Sequence, residues 1–451
     1  MSEKLLSVGL DVGTTSTQLV VSELEVANRA GSFAVPEMEI AARRIRYKSP
    51  IHFTPLMGQD LVDGDKIREI VDKEYRAAGI AKEAVDTGAI IITGETSRKE
   101  NARIVLDALS DYAGEFVVAT AGPDLESILA AKGAGAVEYA EKTGKSVLHM
   151  DIGGGTSNLA LIENGKITAT TCLNVGGRLV KIDANGRLTY VSPVLEGLFS
   201  GKVGDDVSRE TVLELARVLV QALEMAAGLR ERTALFEKLR TAEVETVWPA
   251  VPEGIVLSFS GGVADCIEQE RPWLAFGDMG PELGKAIRES RLCRGDYALG
   301  EETIRATVIG AGCHSAQLSG STVFCQNIKL PMKNLPVFRL ESAEREEIRR
   351  NLQKQEGPAV LALPGLASPN YAQVRALAAE ISGGWNGEPV LVCLEQDMAK
   401  ALGQALAVDL GSEASVLCID RVRLTQGNYL DVGSPVGPAF PVVVKTLVLG
   451  G

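Results

Sequence analysis

The sequence predicts an α/β protein made of two similar lobes that face each other, with a further α/β region after them. Three observations carry this reading. Strand-length apolar runs alternate with amphipathic helix-length segments, as in a doubly wound sheet. A strand–turn–strand unit near the start recurs 140 residues later. Beyond residue 320 the alternation resumes without another copy of that turn. A length of 451 residues allows two to four domains, and 45% hydrophobic content allows each a core.

The first unit is VGLDVGTTSTQLVVSE, residues 8–23, and the second is LHMDIGGGTSNLALIE, residues 148–163. Asp11 falls on Asp151, Gly13 on Gly153, Ser16 on Thr156 and Leu19 on Leu159. Both units read as apolar strand, Asp, small-residue turn, apolar strand. A glycine-rich turn alone is only a turn. Two matched copies with an acid at the same strand end indicate a duplication, and hence paired lobes.

Between the units, 24–60 contains the basic stretch RRIRYK at 43–48, which reads as a solvated loop or, alternatively, a contact for an acidic partner. Residues 65–80 have helical spacing, 88–95 form a buried strand, and 97–114 form the next helix. Thr93, Glu95 and Thr96 follow that strand, where such sheets place ligands, although an N-cap is the simpler reading. After the second unit, Asn164-Gly165 signals a type I′ hairpin into a strand at 166–173, and 185–193 form a short hairpin. Long amphipathic helices span about 207–242, before Pro249 and Pro252 interrupt the pattern. In the last region, strands at 359–365, 389–397 and 415–422 alternate with helices at 371–381 and 398–406.

The turns suggest a ligand. Gly153, Gly154 and Gly155 sacrifice packing and backbone entropy between two strands. A turn of this kind exposes N–H groups to one side, and without Cβ atoms an anion can reach them. Gly13 plays the same part in the first copy, while Thr14, Thr15, Thr156 and Ser157 add hydroxyl donors. Phosphate fits this cradle. Asp11 and Asp151 repel phosphate, but they can hold Mg²⁺ and its waters, which bridge to phosphate oxygens. Taken singly, each Asp could equally cap its turn. Two other nucleotide motifs fail: TGKS at 143–146 has Tyr139 where a P-loop needs glycine, and a strand, not a helix, follows the glycines at 153–155.

Composition excludes several classes. A net charge of −13 with no long Lys/Arg run argues against nucleic-acid binding. Seven scattered cysteines without a C-x-x-C motif read as reduced thiols in a cytoplasmic protein, and the three histidines form no metal-ligand pattern. No run of about 18 apolar residues is present to span a membrane.

As a set, these residues resemble the actin/heat-shock-chaperone/sugar-kinase ATPase superfamily. GLDVGTTST at 9–17 is similar to its first phosphate motif, DIGGGTSN at 151–158 to its second, and ESILAAKGAG at 126–135 to its first connecting helix. IVLSFSGGVAD at 255–265 is similar to its adenosine motif and VIGAG at 308–312 to its second connector. The resemblance implies an actin-like ATPase with two duplicated ribonuclease-H-like lobes around a nucleotide cleft. The first lobe spans 1–145, the second 146–320, and an additional C-terminal α/β region at 321–451 completes a lobe or binds a partner. ATP and Mg²⁺ are the implied cofactors, with Gly261 and Gly262 at the purine and Glu126 orienting the attacking water beside Asp11 and Asp151. Ser127 stands where chaperones carry proline, so Glu138, reached by a helix shifted one turn, is the alternative to Glu126.

Over its whole length the chain resembles the ethanolamine ammonia-lyase reactivating factors, relatives of the diol dehydratase reactivases. TCLNVGGRLVKID at 171–183 and LAFGDMGPELGKAI at 274–287 carry this likeness, together with the tail from 420. It implies a chaperone that uses ATP to release damaged cobalamin from adenosylcobalamin-dependent ethanolamine ammonia-lyase, so that intact cofactor can bind. The implied setting is the cytoplasm, in or beside a bacterial microcompartment, and a homodimer is compatible with it. A small-molecule kinase of the same fold and an actin-like assembly protein are the other readings.

Overall fold

One antiparallel strand pair sets the pattern of the molecule. β1 (Glu3–Val12) and β2 (Ser16–Asn28) place Asp11 opposite Gln18. Val8, Leu10 and Val12, two residues apart, share one face and pack with Ile67, Val71 and Tyr75 of α1 (Gly64–Ala78). β3 (Met38–Lys48) lies beside β2, and β4 (His52–Phe53) pairs with the start of β2. The basic stretch 43–48 is therefore strand, not loop: β2 offers a long free edge, Arg46 pairs with Glu23, and Arg43 donates to the Cys313 carbonyl. A small hairpin of β5 (Leu56–Met57) and β6 (Leu61–Val62) leads into α1. Asp63 caps that helix by accepting from the Lys66 N–H. β7 (Thr87–Ile92) then runs parallel to β1, and β8 (Ala119–Thr120) parallel to β7. The sheet order is β3-β2-β1-β7-β8.

This computed structural model describes residues 3–13, 16–28, 38–57, 61–93, 105, 109, 119–120, 123–241, 248–300, 302–314, 317–320, 322–352, 357–385, 389–435 and 439–446. Gly94, Glu95, Thr96 and most of the helix expected at 97–114 lie outside those residues.

The second lobe repeats the first. After α2 (Pro123–Gly133) and α3 (Ala136–Thr143), β9 (Val147–Ile152) pairs antiparallel with β10 (Ser157–Glu163), and β10 with β11 (Lys166–Leu173). Asp151 lies opposite Asn158, as Asp11 lies opposite Gln18. The ribbon β12 (Val180–Ile182) and β13 (Leu188–Val191) follows, then α4 (Arg209–Ala226) and α5 (Ala234–Leu239). The long helices expected over 207–242 are thus one long helix and one short one; Gly228, with φ of 72°, lies in the break. β14 (Val256–Ser260), α6 (Asp265–Glu268), α7 (Gly280–Glu289) and β15 (Tyr297–Leu299) complete the lobe. β14 is parallel to both β9 and β15, and the order β11-β10-β9-β14-β15 matches the first sheet strand for strand. Two sheets with this order and the same antiparallel-then-parallel pattern form the duplicated ribonuclease-H-like arrangement.

Two helices cross between the lobes. α2 follows the first sheet but packs on β9, β10 and β11, whereas α8 (Ala306–His314) follows the second sheet but packs on β1, β2 and β7. They touch backbone to backbone. A Cβ on Gly133 would lie 1.8 Å from the Ala306 carbonyl oxygen, and one on Gly310 would lie 2.0 Å from that of Leu129. Only glycine allows so close a crossing.

The remaining chain builds a third sheet from β16 (Gln317–Leu318), β17 (Phe324–Gln326), β18 (Met332–Arg339), β19 (Val360–Leu363), β20 (Val390–Leu394), β21 (Val416–Ile419), β22 (Asn428–Val432) and β23 (Pro441–Thr446). Its order is β16-β23-β22-β18-β19-β20-β21-β17. α9 (Arg345–Leu352), α10 (Tyr371–Gly384) and α11 (Ala399–Leu410) cover one face, with Ile348, Ile381 and Leu402 among their buried residues.

Gly133→Ala should force the two crossing helices apart. Urea unfolding should show a loss of about 1–3 kcal/mol. An unchanged midpoint would mean that the crossing yields without strain.

Candidate functional site

The duplicated turns close with the same hydrogen bond. Gly13 N–H donates to the Ser16 carbonyl at 2.9 Å, and Gly153 N–H to the Thr156 carbonyl at 2.9 Å. Both turns open onto one cavity of about 670 Å³ between the lobes. Asp11, Gly13, Glu126, Asp151, Gly153, Gly154, Gly155, Thr156, Gly261 and Gly262 all line it. Residues separated by up to 251 positions in the chain, Asp11 and Gly262, are thereby brought to one place. Thr14 and Thr15 lie outside the described residues. Glu138 is exposed on α3 and does not line the cavity.

The glycines differ in why they are glycine. Gly261 has φ of 88°, and a Cβ there would lie 2.3 Å from the Ile152 carbonyl oxygen, so the fold itself demands it. At Gly155 the fold makes no such demand: a Cβ would meet nothing within 4 Å. The missing side chain leaves open space beside the turn, which suits a ligand that approaches the backbone closely.

Each Asp is held by a hydroxyl from the neighbouring parallel strand or just past its end. Thr93 Oγ1 donates to Asp11 Oδ1 at 2.8 Å, and Ser260 Oγ donates to Asp151 Oδ1 at 2.5 Å. Thr307 Oγ1, on α8, reaches Asp151 Oδ2 at 3.3 Å. Burial pushes the Asp11 carboxyl up to about 7, against the Thr93 hydrogen bond, and the Asp151 charge adds to the rise. Burial likewise raises Asp151. Two carboxylates that repel each other at the edge of a cavity suit a divalent cation. The amide oxygens Gln18 Oε1 and Asn158 Oδ1 support this fit: both are buried without a hydrogen-bond partner, and both side chains line the same cavity. Among the described residues no three His, Cys, Asp or Glu side chains converge to hold a metal. Two acids and two amide oxygens therefore fit a cation that retains most of its waters.

Several contacts at the cavity were not apparent from the sequence. Asn158 Nδ2 donates to Glu126 Oε2 at 2.8 Å and fixes its carboxylate at the cavity wall. Thr54 Oγ1 donates to the Gly13 carbonyl at 2.7 Å and braces the first turn. Arg178 lines the cavity, its N–H donating to the Gly154 carbonyl at 2.6 Å and its Nε to Asp278 Oδ2 at 3.1 Å. Gly176-Gly177 before Arg178 was the available signal. The partners lie 24 to 100 residues apart, where no local pattern joins them.

Beneath Asp151 sits His149, fully buried, with Ser258 Oγ 3.1 Å from Nδ1 and Ser260 Oγ 2.9 Å from Nε2. Burial lowers its pKa to about 3, so the imidazole is neutral in the folded chain.

The family model for the ethanolamine utilisation protein EutA matches residues 3–450. The ethanolamine ammonia-lyase reactivase EutA of Salmonella typhimurium (strain LT2) is 40% identical over 466 aligned positions, which cover 99% of this chain and 99% of the relative. The reactivase EutA of Escherichia coli (strain K12) is 39% identical with the same coverage. The solved structure of the ethanolamine utilization protein EutJ from Carboxydothermus hydrogenoformans is 18% identical, with a TM-score of 0.34, and covers 68% of this chain and 89% of that one. So loose an overlap leaves the fold assignment to the strand order itself.

His149 gives the fold a signed pH dependence. The unfolded imidazole, with an ordinary pKa near 6.5, takes up a proton that the buried ring excludes. Its contribution to stability is full above pH 6.5 and falls as pH drops towards 3, by up to about 1.4 kcal/mol per pH unit. Urea midpoints at pH 7 and pH 5 should therefore differ less in His149→Gln than in the wild type. Equal differences would contradict a neutral buried ring.

Proposed function

The chain belongs to the EutA family of ethanolamine utilisation proteins, and we infer that it is an ethanolamine ammonia-lyase reactivase driven by ATP hydrolysis in the cleft between its lobes. The observation that carries the ATPase reading is the duplicated turn, with its acid, opening twice onto one cavity.

The phosphate chain of ATP lies between the turns. Backbone N–H groups of the Gly153–Thr156 turn and the turn at Gly13 face its oxygens, and Gly261 and Gly262 give the purine room. Asp11 and Asp151 are the acids that would hold hydrated Mg²⁺, with Gln18 Oε1 and Asn158 Oδ1 as further acceptors for its waters. When bound, Mg²⁺ neutralises phosphate charge as the bond to the γ-phosphate breaks. Glu126, held by Asn158, accepts a hydrogen bond from the attacking water and aligns it with the γ-phosphorus. Water adds to phosphorus as the bond to the leaving ADP oxygen breaks, yielding ADP and phosphate.

The lobes contribute the coupling. ATP touches both turns, so its presence draws the lobes together, and hydrolysis releases that bias. A lyase that binds the two spacings differently is strained by the cycle, damaged cobalamin leaves, and intact cofactor enters. The third sheet, with no copy of the turn, lies outside the nucleotide chemistry and is available to hold the lyase. The setting is cytoplasmic, in or beside a microcompartment.

The direct test mixes the purified chain with cyanocobalamin-blocked ethanolamine ammonia-lyase, ATP, Mg²⁺ and adenosylcobalamin. Lyase activity should return only when all components are present; ADP release that requires a small-molecule acceptor would indicate a kinase. Asp151→Ala should lower ATP turnover by about 100-fold or more with unchanged circular dichroism, and normal turnover would remove its assignment. Gly155→Ala should leave the unfolding midpoint unchanged and weaken nucleotide binding by about tenfold, because the new methyl occupies the ligand's space. Unaltered affinity would move the phosphate away from this turn.

A further inference from the structure

A buried hydrogen-bonded chain runs beneath the cavity floor, and the chemistry assigned above does not use it. β9 and β14 are parallel neighbours, with His149 beside Ser258 and Asp151 beside Ser260. The pairing sets four polar side chains side by side at the centre of the sheet. His149 and Ser260 are completely buried and Ser258 nearly so. Three polar residues at such a depth need a reason, since apolar residues would fill the same volume without desolvation.

Proton counting orders the chain. Asp151 Oδ1 accepts from Ser260 Oγ at 2.5 Å, which uses the only proton of that hydroxyl. The 2.9 Å contact between Ser260 Oγ and His149 Nε2 must then be donated by the ring. His149 is therefore the Nε2–H tautomer, and its Nδ1 accepts from the Ser258 hydroxyl at 3.1 Å. Each donor is committed, so the chain has one direction, from Ser258 to Asp151. Asp151 Oδ2 meets Thr307 at 3.3 Å on the opposite side. The carboxylate is held at both oxygens, on the Ser260 side by a hydroxyl whose own orientation is fixed.

We propose that His149 is a positioning residue that, through Ser260, aims the Asp151 carboxylate at the hydrated cation. The first lobe has no counterpart: Gly9 stands at the position of His149, Ala89 and Ile91 pair with β1 where Ser258 and Ser260 pair with β9, and Thr93 holds Asp11. Asp151 is thus the more rigid of the two acids. Removing the ring N–H frees the Ser260 hydroxyl to rotate, and the carboxylate loses its lock without losing its charge. The proposal rests on the reading of Asp11 and Asp151 as cation-side acids.

The test uses the full chain and two readouts. In ¹⁵N-histidine-labelled protein, whose only histidines are His52, His149 and His314, His149 should show the neutral Nε2–H pattern at pH 7. Binding of a fluorescent ADP analogue is then titrated with Mg²⁺. His149→Phe should raise the Mg²⁺ midpoint about tenfold, His149→Gln, which restores a donor, should bring it back to within about twofold, and Ser260→Ala should reproduce the His149→Phe shift. The Ser260 variant, a smaller change, serves if His149→Phe does not fold. An Nδ1–H or protonated ring, or wild-type Mg²⁺ midpoints in His149→Phe and Ser260→Ala, would overturn the proposal. A wild-type chain whose nucleotide binding ignores Mg²⁺ would overturn it together with the reading beneath it, and that failure shows before any variant is measured.

Discussion

The structure depends on holding two like charges close together at the edge of a cavity. Burial raises the cost of ionising both Asp11 and Asp151, and the Asp151 charge raises it further for Asp11. A fold that only needed stability would replace them with apolar residues. Here each sits at the end of a central strand, anchored by a hydroxyl from the adjacent parallel strand or the residue following it. The β-sheets bear this repulsion because the cores around them, Val8 to Val12 in one lobe and Leu148 to Ile152 in the other, are fully packed. The same burial and repulsion that oppose ionisation of the two acids favour a divalent cation beside them.

The helix crossing decides how far apart those charges sit. α2 and α8 exchange lobes and meet at glycines, so the spacing is set by backbone contact rather than by side chains that can change rotamer. Thr307 ties this crossing to the chemistry, because it lies on α8 and reaches Asp151. A change in the cleft therefore bears directly on a place where the lobes meet backbone to backbone. That linkage joins the floor of the cleft to the junction of the two lobes.

Much of this was legible in the sequence because the duplication preserves local chemistry. Asp, small-residue turn and strand recur at a fixed offset, and the hydrogen bond from Gly13 to Ser16 reappears from Gly153 to Thr156. The Asn164-Gly165 hairpin was legible for the same reason: both residues have positive φ, as a type I′ turn requires. The basic stretch 43–48 was misread because an edge strand with one solvated face carries as much charge as a loop. The helices over 207–242 came out too long, since apolar spacing runs past the break at Gly228. Asn158 on Glu126, Asp278 on Arg178 and the serines on His149 were invisible because each pairs elements far apart in the chain, with no periodicity to announce it.

The most direct test of the central claim is a crystal structure of this chain with Mg²⁺ and ADP. The account places the diphosphate between the turn at Gly13 and the turn at Gly153 to Thr156, within hydrogen-bond reach of both, with the cation's waters on Asp11 and Asp151. A diphosphate bound to one lobe alone, or a cation held away from both acids, would contradict it.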